Sequence, residues 1–273
     1  MTMIITKLKS NRGVTLIELL VASVIALIAT GAALELYVSQ QQGWIAQENI
    51  TDMQQNGRAA VDELVYHVRQ AGYHIPPALE AIYASNTNPD TITLVYLSEP
   101  ICNAYMVDAM SSPSDDIECD PDSITCFEAD TWAYIYDPIT ESGEFFLITE
   151  VQQASGLLKH STMSLSKAYA DSCHVYSIDV VTFFVDNTTD PDHPRLMIER
   201  ADGIPQIYAD NIEDLQLTYT LAHGAVVDTL ISSQLVREVN IELVARTDRE
   251  DEIADGFVRD TFVTSVFTRN LAF

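Results

Sequence analysis

Positive charge is scarce in this sequence. Its 273 residues hold 14 Lys+Arg against 40 Asp+Glu, a formal net charge of −26. Nucleic-acid binding is driven by Lys/Arg neutralising phosphates, so direct binding of nucleic acid is not expected. Docking on an anionic membrane surface through a basic patch is disfavoured for the same reason. Catalytic signatures are missing as well: no G-x-S-x-G elbow, P-loop, H-E-x-x-H or G-x-G-x-x-G occurs. The six histidines (67, 74, 160, 174, 193 and 223) are scattered without ligand spacing, and no enzyme is expected. There is no internal repeat and no low-complexity tract. Apolar residues are not scarce; at 47% of the chain they exclude a disordered protein. The length suits one large or two small domains with a sizeable core.

A mean hydropathy of +0.06 is high for so acidic a chain. The apolar residues are concentrated at the start. Residues 1–13, MTMIITKLKSNRG, carry Lys7, Lys9 and Arg12 and no acid. Residues 14–34 then read VTLIELLVASVIALIATGAAL, with Glu18 as the only charge. At a helical rise of ~1.5 Å per residue this run spans roughly 31 Å, about one bilayer core. Basic residues before a span keep the N-terminus in the cytoplasm, so the rest of the chain faces outward. An ordinary secretory signal has a shorter apolar run and an A-x-A-like cleavage site, and neither is found. A carboxylate inside a span is costly and by default marks function. Two readings of Glu18 stay open from these residues alone: an anchor helix whose carboxylate snorkels to the headgroups, and a more specific role.

The string Arg12-Gly13-Val14-Thr15-Leu16-Ile17-Glu18-Leu19-Leu20-Val21-Ala22 resembles the class III signal of type IV pilins and pseudopilins. The resemblance implies that prepilin peptidase cuts between Gly13 and Val14 and methylates the new amine of Val14. The mature chain would then have 260 residues, with Glu18 as the family's near-universal glutamate at the fifth mature position. Val14 departs from the Phe found in many pilins. The chemistry of Glu18 agrees with this role, because a carboxylate in an apolar bundle needs a cation or must go neutral. The Val14 amine is such a cation, within the same helix or on a neighbouring subunit, where the pair would fix an otherwise register-free helix in a filament.

A looser resemblance, to PilW-type minor pilins, rests on several strings in order. They are Arg69-Gln70-Ala71-Gly72-Tyr73, Pro89-Asp90 with the strand after it, and Ile204-Pro205-Gln206 leading to Asn211–Tyr219. Val236-Arg237-Glu238-Val239 and Phe267-Thr268-Arg269-Asn270 complete the set. Residues 100–175 match no such string.

No proline occurs from Glu35 to Gly72, and Ile50, Met53, Gly57, Val61, Leu64, Val65 and Val68 form one helical stripe. A helix from about Leu16 to Ala71 is expected, with Gly72 as C-cap and Pro76-Pro77 forbidding continuation. Gly31 and Gly43 are places for a break or bend, or only for close packing. The stripe is expected to face a sheet. Strands are expected at Thr91–Leu97, Trp132–Tyr136, Glu144–Val151, Ile178–Val185, Arg195–Arg200, Ile212–Leu221, Leu235–Ala245 and Phe257–Thr268. Turn-like stretches separate them, among them Asp186–Pro194 and Ala201–Pro205. The expected class is α+β, a long N-terminal helix followed by an antiparallel β-rich head, which is also the architecture of pilins. The expected parts are a removed leader (1–13), a transmembrane or filament-core helix (14–35), its amphipathic continuation (36–72) and a head (73–273) with an insert at about 100–175.

Cys102, Cys119, Cys126 and Cys173 all follow the span, on the side inferred to be oxidising. An even count there favours two disulfides, with three possible pairings and one bond expected within the 102–126 loop. Free thiols and a metal site are the alternatives, although CxxC spacing is absent. Between Arg69 and Lys159 there is no Lys or Arg, while 15 acids fall from Glu80 to Glu150. A solvated acidic face is the plain reading. Calcium is the sharper one, with Asp115, Asp116, Asp120 and Asp122, or Asp186, Asp190 and Asp192, as oxygen donors.

The resemblance implies a minor pilin that primes a type IV pilus and sits at its tip. Its partners would be prepilin peptidase, other minor pilins, the major pilin and the inner-membrane assembly platform. It would lie in the inner membrane with a periplasmic head, and later on the cell-surface pilus. Two other expectations stand beside it: a J-like pseudopilin of type II secretion, and an uncleaved membrane-anchored binding module or adhesin.

Overall fold

The computed structural model describes residues 13–271 except 77, 98, 161–163, 201–202 and 252–254. Lys7, Lys9, Arg12, Pro77 and the first two residues of the 201–205 turn lie outside the described residues. One long apolar helix is followed by antiparallel sheets. By compactness the chain divides into a unit up to residue 49 and a second from Ile50 onward.

The helix is assigned without a break from Leu16 to Gln70. The break considered at Gly31 or Gly43 does not occur, and a Cβ at either position would meet nothing within 4 Å. Two isolated glycines, each costing about 1 kcal/mol, leave the ladder intact in a run otherwise rich in Ala and Leu.

From Ile50 onward the helix presents Met53, Gly57, Ala60, Leu64, His67 and Val68 as its buried face. Steps of three and four put these residues on one side. They join a core with Ile92, Leu94, Phe183, Leu196, Leu217 and Ile241 from two sheets. Gly57 is there because of a close approach: a Cβ built on it would lie 2.2 Å from the ring of Phe262.

The helix ends where expected and for the expected reason. Gly72 adopts φ +81°, the left-handed conformation of a C-terminal cap, and its N–H donates to the Val95 carbonyl at 2.9 Å. The last carbonyls find a second partner from the far end of the chain. The Asn270 amide donates to the carbonyls of Arg69, Gln70 and Ala71 at 3.2–3.4 Å.

The first sheet is five-stranded, in the order Ile82–Ser85, Thr91–Tyr96, Asp179–Asp186, Arg195–Glu199, Gln206–Asp210. The second is four-stranded, in the order Val226–Val227, Ile212–Leu221, Val236–Arg246, Arg259–Phe267. Asp90 joins them. Its backbone N–H donates to the Leu215 carbonyl at 2.8 Å, and its buried carboxylate accepts from the N–H groups of Thr87 and Leu217 at 2.9 and 2.8 Å. A buried carboxylate with such partners is a clasp; without them it would be costly.

Thr91–Tyr96 and Asp179–Asp186 pair as neighbours, so everything between them is an excursion from the end of one hairpin. Long insertions at such a point add little loop-closure entropy. This insert folds around its own core, including Ile117, Ile135, Phe146, Ile148, Leu158 and Val175. Its larger sheet runs Asn103–Tyr105, His174–Ser177, Thr131–Asp137, Ser142–Ile148. Its smaller sheet runs Ile117–Glu118, Leu157–Lys159, Glu150–Gln152. The single strand expected at Glu144–Val151 is therefore two. It breaks at Thr149, whose N–H donates to the Lys159 carbonyl, and the halves enter different sheets.

Candidate functional site

The helix begins with a reciprocal cap. Glu18 Oε2 accepts from the Thr15 N–H and from Thr15 Oγ1, both at 2.9 Å. The Glu18 N–H donates to Thr15 Oγ1 at 3.3 Å. Thr15 is the N-cap and Glu18 the third helical residue, a capping box that satisfies donors the first turn leaves without partners. Sequence reasoning gave Glu18 a place in the span and a pairing with the Val14 amine but no capping role; the T-x-x-E spacing before an apolar run was the signal for it. Among the described residues, Oε1 of the same carboxylate accepts no hydrogen bond.

Gly13 and Val14 precede this cap in non-helical backbone, and Val14 is 74% exposed. The peptide bond between them is thus outside the helix and uncovered. Beyond Glu18 the helix has a stretch long and apolar enough to cross a bilayer, none of it buried. Leu16, Ile17, Leu19, Ile25, Leu27 and Ile28 are each more than 60% exposed. A monomer in water rarely shows an apolar surface of this size, so something apolar must cover it.

The cysteines differ from the expected two disulfides. Cys102 and Cys126 are bonded, with Cα atoms 5.8 Å apart. Cys119 and Cys173 are buried free thiols. Sheet geometry gives the reason. Met106 forms a β-bridge with Cys119, and its N–H donates to the Cys173 carbonyl. The cysteines therefore flank Met106 two strand spacings apart, roughly 9.5 Å. A disulfide needs Cα atoms within about 7 Å. Burial pushes the Cys119 thiol up to about 12 and raises Cys173 as well, so neither is a ready nucleophile.

The candidate calcium donors lie on separate turns. Among the described residues no group of three or more His, Cys, Asp or Glu side chains is arranged to hold a metal ion. Asp115, Asp120 and Asp186 each accept hydrogen bonds from their own turn. Asp115 accepts from the N–H groups of Ser111 and Ser112 and from the Ser112 hydroxyl. Asp120 accepts from the N–H of Asp122, and Asp116 is exposed. Asp186 accepts from the N–H groups of Thr188 and Thr189; the Thr189 side chain first, and then these N–H groups and the Thr188 hydroxyl, hold its carboxyl well below the usual range. Asp190 pairs with His193 at 3.1 Å, and Asp192 offers only its carbonyl, to Arg246. Asx turns account for aspartate in loops without any metal.

Comparisons with known proteins address the two ends of the argument unequally. Residues 8–34 match the family model of the prokaryotic N-terminal methylation motif, a span containing Lys9, Arg12, Gly13, Val14 and Glu18. No curated protein matches the chain. Among solved structures, a type IV-like pilin from Thermus thermophilus is similar at 10% identity and a TM-score of 0.36, over 84% of this chain and 99% of that one. The chain thus carries a prokaryotic N-terminal methylation motif at the head of an exposed apolar helix, followed by an antiparallel β head.

Proposed function

We propose that the chain is a minor pilin of PilW type, which primes a type IV pilus and is carried at its tip. The observation that carries this reading is the methylation motif at residues 8–34, set on a helix whose apolar first half is uncovered. In this reading Lys7, Lys9 and Arg12 keep the leader in the cytoplasm. Prepilin peptidase cuts between Gly13 and Val14 and methylates the Val14 amine. The helix stays in the inner membrane with the head in the periplasm until assembly, when other minor pilins, the major pilin and the inner-membrane platform replace lipid as its cover.

Glu18 has a distinct task in that exchange. One of its oxygens closes the helix cap, and the other has no hydrogen-bond donor within the described chain. The amine of a neighbouring subunit supplies one. An ion pair in apolar surroundings is costly to break, so it fixes the depth at which one apolar helix stops against another. The strings shared with PilW-type proteins support the finer assignment, because they hold residues that close this fold: Gly72 caps the helix, Asp90 clasps two sheets and Asn270 binds the helix end.

The test is Glu18→Ala in the native host, followed by analysis of sheared filaments and of membranes. Leader removal should be unchanged, while the subunit should vanish from the filament fraction. Incorporation at the normal level would overturn the assignment.

A further inference from the structure

We propose that the last strand, Arg259–Phe267, pairs edge to edge and antiparallel with the same strand of a second copy of this chain, joining two four-stranded sheets into one of eight. This inference does not rest on the pilin reading, because it concerns the head alone.

The strand is a long open edge. It pairs with Val236–Arg246 on one side without a register shift and has no strand on the other. Beyond its two ends, the Thr268 N–H donates to the Arg237 carbonyl and the Thr247 N–H to the Val258 carbonyl. Antiparallel bonding alternates, so the even-numbered residues of this strand bond inward. The N–H and C=O groups of Thr261, Val263, Ser265 and Phe267 therefore point away from the sheet, and among the described residues no partner bonds them.

Sheets protect such edges with shortness, bulges, proline, lysine or a cover. The other edges of this fold have such devices. Gln206–Asp210 carries a bulge and gives its Asp210 carbonyl to the Asn56 amide of the helix. Ser142–Ile148 is flanked by the segment through Ser166 and Tyr169, both of which donate to Glu144. The remaining edge strands have two to four residues. Residues 261–267, TFVTSVF, contain no charge, proline or glycine. Val263 and Phe267 are 70% and 59% exposed there. Unpaired backbone beside apolar side chains is a template for an added strand.

Charge and pattern select a second copy as that strand. Residues 73–273 carry a net charge of −25, so two heads repel over most of their surface. The last two strands are the exception: residues 236–246 and 259–269 hold four Arg against three acids. Twofold pairing about Val263 sets Val263 against Val263, Thr261 against Ser265 and Arg259 against Phe267. One step outward it sets Arg269 against Phe257, a ring that already carries the Arg246 guanidinium at 4.0 Å. Both arginines thus meet rings, which attract cations. Moving the axis to Thr264 would instead set Arg259 against Arg269, a repelling pair. Glu213 steadies Arg259 for its place, accepting from Nη2 at 2.9 Å. The pairing closes at two copies, because the opposite edge of the same sheet is only Val226–Val227. The seam is about 30 Å long, small beside a standard interface, so the association is weak and concentration-dependent.

The experiment is sedimentation velocity of the full chain in a nonionic detergent over a range of concentrations, joined to cysteine cross-linking. The chain should pass from monomer to dimer as concentration rises. Val263→Lys should weaken the dimer by about tenfold or more without lowering the melting temperature, since a lysine on an open edge blocks pairing. Under mild oxidation Val263→Cys should give a covalent dimer, because its two copies face each other about 5.5 Å apart. Thr261→Cys alone should not, its mates being about 14 Å apart, but mixed with Ser265→Cys it should. A monomer at every concentration, an unchanged dimer in Val263→Lys, or equal cross-linking of Thr261→Cys and Val263→Cys would each overturn the proposal.

Discussion

His67 lies on the buried face of the helix with one ring nitrogen 2.9 Å from the Tyr96 hydroxyl and the other 3.2 Å from Glu63. Phe183 packs against the ring, and Glu63 is shared with Arg200 and the Tyr208 hydroxyl. Burial pulls the imidazole below its usual value of 6.5, against the opposing pull of Glu63. The folded chain therefore binds a proton less readily than the unfolded chain. The resulting stability is fully present above about pH 6.5 and is lost as the pH falls from there toward the depressed folded-state value. Urea titrations between pH 7.5 and 5 should show falling stability across that window, and His67→Gln should flatten the slope. An unchanged slope in the variant would place the proton uptake elsewhere. The sequence offered His67 only as one of six scattered histidines; its burial follows from sitting three residues after Leu64 on a face that the apolar stripe had already defined.

At the scale of elements, the contact of Gly57 with Phe262 sets how closely the helix approaches the second sheet. A side chain there must displace the Phe262 ring, three atoms of which lie within 2.8 Å of where its Cβ would be. Gly57→Val should destabilise the head by about 1–3 kcal/mol in urea unfolding, and Phe262→Ala in the same chain should recover part of that loss. A neutral Gly57→Val would mean that the helix is free to shift. The stripe of Ile50, Met53, Gly57, Leu64 and Val68 was legible because a helix buried on one side must repeat its apolar residues every three or four positions. The strand through Ile241–Val244 was legible for the matching reason, with Ile241 and Leu243 buried, whereas Val263 and Phe267 of the last strand lie on its exposed face. The short strands at Ile82–Ser85, Asn103–Tyr105 and Ile117–Glu118 were not, because two to four residues are too few to display a period. Nor was the split at Thr149, which depends on a distant partner strand. The C-terminal lock through Asn270 is legible only in three dimensions, since its targets lie about two hundred residues away.

For the whole molecule, the cysteines report on the integrity of the insert. The Cys102–Cys126 bond closes its entrance, and the two thiols sit fully buried in its core. Alkylation under native conditions should label neither Cys119 nor Cys173, and denaturation without reductant should expose two. Labelling of fewer than two on denaturation would mean that the pair is oxidised and that the register around Met106 is different. Charge also sorts by region: +3 on residues 1–13, −4 from 14 to 72 and −25 on the rest. In the proposed reading the basic end orients the chain and the apolar helix takes a cover from lipid or neighbouring subunits. The central claim is that residues 1–13 are removed and the helix is retained. Mass spectrometry of the N-terminal peptide from native membranes tests it most directly. The account predicts a chain beginning at N-methylated Val14; a chain beginning at Met1 would contradict it.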